Sequence, residues 1–125
     1  MKFLLDTHIL LWWLGDDGRL SSETRAVIAN PENFIFVSAA TVWEMSIKKS
    51  LGKLVIPEGL LMVLKENQFQ LLSITGEHGL KIAHLPEHHK DPFDRMLIAQ
   101  AQAEGLILIS QDIKFKYYDV NLLMA

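Results

Sequence analysis

The 125-residue sequence contains no cysteine. That absence removes disulfide frameworks, thiolate zinc sites and cysteine nucleophiles together, and it is compatible with the cytoplasmic location expected here. No stretch of about 18 uninterrupted apolar residues occurs, which excludes a membrane-spanning helix. The opening Met1-Lys2-Phe3-Leu4-Leu5 is apolar, but Asp6 and His8 interrupt it and no small-residue cleavage site follows, so it predicts a buried strand and not a signal peptide. Positive charge is not in excess: 12 Lys+Arg stand against 15 Asp+Glu, for a net charge of −3. A generic duplex-DNA binder, which relies on counterion release over a basic face, is thereby disfavoured. Any contact with nucleic acid has to be local. Also missing are a low-hydrophobicity tail of one charge sign, an internal repeat and an interdomain linker. What is present is a chain half of whose residues are hydrophobic, enough to bury one core in a single domain spanning 1–125.

Phe3-Leu4-Leu5 predicts a buried strand feeding a buried helix from Thr7 to Leu14. Gly15-Asp16-Asp17-Gly18 ends that helix, and Ser21-Ser22-Glu23-Thr24 opens a second, to about Asn30. Phe34 to Val37 reads as the second strand and Ala39 to Ser50 as a helix stopped by Gly52, with Pro57 expected to open a fourth helix across Leu60 to Leu64. Phe69 to Ile74 has strand character, a helical stretch surrounds His78 to His84, and Pro86-Glu87-His88-His89-Lys90 reads as a polar loop. Asp91-Pro92 begins a helix to Glu104, with Gly105 as its C′ glycine. Leu106 to Ile109 is a continuous apolar run of the parallel, fully buried type, and Val120 to Leu123 adds an edge strand. Strands separated by helices imply a three-layer α/β/α sandwich with a central parallel sheet.

Four carboxylates fall at positions of interest. Asp6 ends the first strand and Asp112 lies just past the strand ending at Ile109; sites in open α/β sheets assemble at such carboxyl ends. Glu44 shares a helix face with Ala40, Ile47 and Leu51, and Asp94 stands one turn ahead of Leu97, Ile98 and Ala101. Each also has a purely structural reading. Asp6 and Asp91 can be helix caps, Glu44 can pair with Lys48 at i+4 for about 0.3–0.5 kcal/mol, Asp94 suits a helix N-terminus, and Asp112 is ordinary in a turn. Four carboxylates converging in one cleft repel one another unless a cation offsets them. Mg²⁺ or Mn²⁺, which take oxygen ligands and retain water, are the natural counter-charge. Such ions activate water and stabilise in-line phosphoryl displacement.

The segments Leu4-Leu5-Asp6-Thr7-His8-Ile9-Leu10-Leu11-Trp12, Ser38 to Met45, Asp91 to Ala101 and Leu108-Ile109-Ser110-Gln111-Asp112 resemble, in order and spacing, the four acidic motifs of PIN domains, in particular those of VapC-type toxins. The resemblance extends over essentially the whole chain. It implies a PIN-like fold, with Asp6, Glu44, Asp94 and Asp112 as both catalytic and metal-binding residues and Thr7 and Ser110 as nearby hydroxyls. It further implies Mg²⁺- or Mn²⁺-dependent endoribonuclease activity on RNA, a small antitoxin protein as partner, and a homodimer. In the third motif Asp94 is preferred to Asp91, since it is in line with the buried Leu97/Ile98 face.

Other residues are read more plainly. His88 and His89 are expected in a solvent loop, because adjacent side chains diverge and no third ligand is evident. His8 is expected to be a satisfied structural histidine projecting away from Asp6. Trp12 and Trp13 supply either core or interface. Lys48, Lys49, Lys53, Arg95, Lys114 and Lys116 either hold phosphates around the acids or form solvated faces. Two alternatives come from other classes. A receiver-like signalling module needs an Asp ending a central strand and a Lys after a late one, which Phe34 to Ser38 and Leu106 to Asp112 do not supply. A metal-dependent phosphatase of the haloacid-dehalogenase type needs Asp-x-Asp after the first strand, where Asp6-Thr7-His8 stands.

Overall fold

In a computed structural model describing residues 1–125, the first strand, β1 (Lys2–Leu5), becomes the centre of the sheet. Leu4 and Leu5 point to opposite faces by the period of a strand, and both are fully buried, so both faces must be covered. Five strands run parallel in the order β3-β2-β1-β4-β5, where β2 is Phe34–Ser38, β3 Gln70–Leu72, β4 Ile107–Ser110 and β5 Leu122–Met124. Phe3, Leu5, Ile35, Val37 and Ile109 pack on one face with Ile9, Leu10, Met45 and Leu64. Leu4 and Leu108 pack on the other with Leu97, Ile98 and Phe115. The expected three-layer α/β/α arrangement is what the chain adopts.

Six helices supply the outer layers: α1 (Thr7–Leu14), α2 (Ser22–Ala29), α3 (Ala39–Ser50), α4 (Leu60–Glu66), α5 (Gly76–Ile82) and α6 (Pro92–Glu104). Their starts are set by side-chain caps. Asp6 Oδ1 accepts from Ile9 N–H at 2.9 Å, Ser38 Oγ from Ala40 N–H at 3.0 Å, and Asp91 Oδ1 from the N–H groups of Phe93 and Asp94 at 2.8 and 3.0 Å, satisfying donors that a helix N-terminus leaves orphaned. Gly105 closes α6 with φ +67°, a left-handed conformation that costs glycine least.

Two local expectations are corrected. Pro57 does not open α4; the helix begins at Leu60 behind Gly59, whose φ of +64° reverses the chain there. The stretch Phe69 to Ile74 contributes only Gln70–Leu72 to the sheet, because it pairs along one edge, with β2 alone.

The strand order has a consequence for chemistry. From β1 the chain builds outward through β2 and β3, then returns to place β4 on the opposite side of β1. The crossovers diverge at the β1/β4 junction, which leaves a crevice at the carboxyl ends of those two strands. Asp6 N–H donates to Ile109 O at 3.1 Å, so the first residue after β1 sits against the end of β4.

Candidate metal centre

The crevice gathers all four acids singled out in the sequence. Asp6 caps α1, Glu44 comes from the middle of α3, Asp94 from the first turn of α6 and Asp112 from the turn after β4. Asp6 and Glu44 are buried. Asp94 and Asp112 keep 22% and 37% of their side chains exposed, so the pocket opens on their side.

Each carboxylate is oriented by a neighbour. Ser110 Oγ–H donates to Asp6 Oδ2 and accepts from Asp112 N–H at 3.0 Å, tying the ends of β1 and β4 together. Thr7 Oγ–H donates to Glu44 Oε1 at 2.6 Å. Lys48 Nζ reaches Glu44 Oε2 at 2.9 Å, so the helical i+4 pair exists together with the buried placement of Glu44 and not in place of it. The Glu44 face of α3 thins toward Leu51, which is exposed.

The electrostatics register the crowding. Burial pushes the Asp94 carboxyl up, and the nearby charges of Asp91, Asp6, Glu44 and Asp112 raise it further, from 3.8 to about 8. Burial also raises Asp6, and Asp112 adds to this, while hydrogen bonds from Ser110 and Ile9 and the proximity of His8 act in the opposite direction. Like charges that cannot all ionise together are relieved by a cation. The groups around the crevice are carboxylates with a single imidazole beside them and no thiolate, surroundings that fit a hard divalent ion better than a thiolate-seeking one.

That imidazole is the main departure from the expected site. His88 does lie at the surface, against Tyr117 and Tyr118. His89 turns inward instead, is 6% exposed, and places Nε2 2.9 Å from Asp94 Oδ2 and 3.1 Å from Asp112 Oδ2. Potential ligand atoms of His89, Asp94 and Asp112 all lie within 4.8 Å of one another. Divergence of adjacent side chains was the correct principle; it sends one histidine out and the other in. The available signal was position, two residues ahead of an Asp-Pro helix start and thus at the same helix end as Asp94.

Two further expectations change. His8 is exposed, not a satisfied interior histidine, and with Asp6, Trp12, Arg19, Gln111 and Asp112 it lines a cleft of about 380 Å³ that adjoins the acids. The Arg19 guanidinium lies 5.0 Å from the centre of the Trp12 ring. Arg95 is not free to hold phosphate: its Nη1 donates to the carbonyls of Pro86 and His89, and its Nη2 to those of Ile82 and Leu85. Lys49, Lys53, Lys114 and Lys116 are exposed.

A parallel α/β sandwich with a carboxylate pocket at its strand-order switch defines a class of domain, and comparison with known proteins identifies it. The PIN domain profile matches residues 3–121. The chain belongs to the PIN domain family, a family of nucleases. No match was found among curated proteins. Similar solved structures include VapBC2 from Rickettsia felis bound to a DNA fragment from their promoter (TM-score 0.74, 18% identity, 98% of each chain covered) and DNA-bound VapBC from Salmonella typhimurium (0.71, 16%, 98% of this chain and 97% of the other). VapBC-1 from nontypeable Haemophilus influenzae is also similar (0.67, 18%, 98% and 97%). At these identities the likeness is one of fold.

Proposed function

We propose that this protein is a Mg²⁺- or Mn²⁺-dependent endoribonuclease directed at single-stranded RNA, and the toxin of a toxin–antitoxin pair acting in the cytoplasm. The observation that carries the reading is the convergence of Asp6, Glu44, Asp94 and Asp112 on one crevice, with Asp94 raised to about 8 by burial and by its carboxylate neighbours. These four residues would hold the ion. Once bound, it supplies an activated water and charge neutralisation for hydrolysis of a phosphodiester bond. Ser110 and Thr7 orient Asp6 and Glu44, and Lys48 balances part of the charge on Glu44. The cleft that adjoins the acids offers Trp12, Arg19 and His8 to a strand, a pairing of aromatic surface and cation suited to unstacked bases and their phosphates. Arg19 is paired with Asp17, Nη2 to Oδ2 at 2.8 Å, so a phosphate bound there would have to share it with that carboxylate.

An antitoxin partner belongs to the same reading, supported by the VapBC complexes among the structural neighbours, and a homodimer is proposed with it on the family resemblance. Of the surfaces expected to serve, Trp13 is largely committed to the fold, packing on Phe69 with its Nε1–H on Asn67. Leu61 and Met62 of α4 remain exposed and are the better candidates. No helix is long and apolar enough to cross a membrane.

The test is incubation of purified protein with structured and unstructured RNA in Mg²⁺, Mn²⁺ or chelator. Cleavage of the unstructured RNA with metal, and none with chelator, is expected. Equal cleavage in chelator would overturn the metal-dependent reading.

A further inference from the structure

His89 is held by contacts that have nothing to do with the acids it faces. Its backbone N–H donates to Tyr118 Oη at 2.8 Å, and the Tyr118 hydroxyl donates to Pro86 O at 2.8 Å. Its carbonyl accepts from Arg95 Nη1 at 3.2 Å, and its ring lies 5.6 Å, centre to centre, from the ring of the fully buried Phe115. Arg95 spends its donors on this same loop, and Tyr118 anchors the loop from the far side of the turn carrying Asp112. The imidazole is therefore delivered to a defined place before any acid is considered.

Its chemistry at that place is set by the second nitrogen. Asp91 N–H points at His89 Nδ1 at 3.3 Å, so Nδ1 accepts and the neutral ring carries its proton on Nε2. Nε2–H then donates to Asp112 Oδ2 at 3.1 Å, and the same nitrogen lies 2.9 Å from Asp94 Oδ2. These two carboxylates belong to elements with no other direct tie between their side chains: Asp94 to the start of α6, Asp112 to the turn after β4. Asp112 Oδ1 is taken by Lys114 N–H at 2.9 Å, whereas Asp94 Oδ1 is left free of protein donors.

We infer that His89 is a positioning residue of the acidic centre, whose Nε2, bonded to Asp112 and in contact with Asp94, fixes the two carboxyl groups relative to each other so that their remaining oxygen capacity is presented to a divalent cation. The inference rests on the metal-site reading above and adds a residue to it. Hydrogen bonds to ligating carboxylates fix their orientation, and losing one typically costs about 10–100-fold in metal affinity. The imidazole between them sets where the two carboxyl groups stand before the ion arrives. Because Nδ1 is engaged by Asp91, Nε2 acts here as a donor and not as a ligand.

The experiment is Mn²⁺ binding, followed by the spin-resonance signal of free Mn²⁺, for wild type, His89→Ala and His89→Gln, with melting curves of all three in chelator. A glutamine amide places an N–H group near the position of imidazole Nε2 but offers no ring. The expected result is a 10–100-fold weaker Mn²⁺ affinity for His89→Ala, with most of the loss recovered in His89→Gln. Unchanged affinity in His89→Ala, with only a lower melting temperature in chelator, would overturn the inference in favour of simple packing on Phe115. Equal weakening in the alanine and glutamine variants would also overturn it, since an amide donor would then not replace the imidazole. Absence of Mn²⁺ binding by the wild type would instead remove the metal-site reading, and the inference with it.

Discussion

Replacing Asp94 with asparagine should make the metal-free protein more stable at neutral pH while abolishing RNA cleavage. The Asp94 carboxyl is pushed from 3.8 to about 8, first by burial and then by Asp91, Asp6, Glu44 and Asp112. Between those values the folded chain retains a proton that the unfolded chain has released, so stability falls as pH rises from about 4 toward 8. Below that window both states carry the proton and the penalty vanishes. By pH 7 a little over three pH units have been crossed at about 1.4 kcal/mol each, a ceiling of about 4 kcal/mol. The side chain keeps 22% of its surface exposed, and solvent screening there reduces the expectation to about 2 kcal/mol. Asparagine is neutral throughout and keeps an oxygen where Asp94 Oδ2 faces His89 Nε2. In chelator near pH 7, Asp94→Asn should therefore melt about 6–10 °C above wild type, and the gap should close near pH 4. With saturating Mn²⁺ the order should narrow or reverse, because wild type gains binding energy that the variant lacks. A variant less stable than wild type at pH 7, or a gap independent of pH, would refute the argument from carboxylate crowding.

Divalent ions should stabilise wild type by about 2.7 kcal/mol at a hundredfold excess over the dissociation constant; Glu44→Gln should show a smaller Mn²⁺-induced melting shift, and equal shifts would remove Glu44 from the site. Gly105→Ala forces a side chain into φ +67° at a position with open space around it, and chemical denaturation should show a loss of about 1 kcal/mol with no change in Mn²⁺ affinity. Tyr118→Phe deprives the buried His89 N–H of its acceptor, which should cost about 1–3 kcal/mol by denaturant titration; a change within error would mean that the loop is held by Arg95 alone. Light scattering should find a homodimer, and a monomer at high concentration would count against it.

Much of this molecule follows from local pattern. The alternating burial of Phe3, Leu4 and Leu5 is set by side-chain period, the start of α6 by Asp91-Pro92, and its end by Gly105; these depend on residues close in sequence. The four acids were also legible, because each stands at a strand end or on an apolar helix face and their order resembles one family's motifs. Sequence alone did not decide which carboxylates meet. That follows from β4 crossing to pair with β1, a long-range choice that brings Ser110 to Asp6 across the switch in strand order. Nor did local pattern reveal His89. In a polar loop its neighbours suggest solvent, and only the packing of Tyr118, Phe115 and Arg95 around that loop turns the imidazole inward. The same packing spends Arg95 on carbonyls. Periodicity reports which face of an element is buried; what a polar side chain meets there depends on distant segments, and those are brought together only by the assembled sheet.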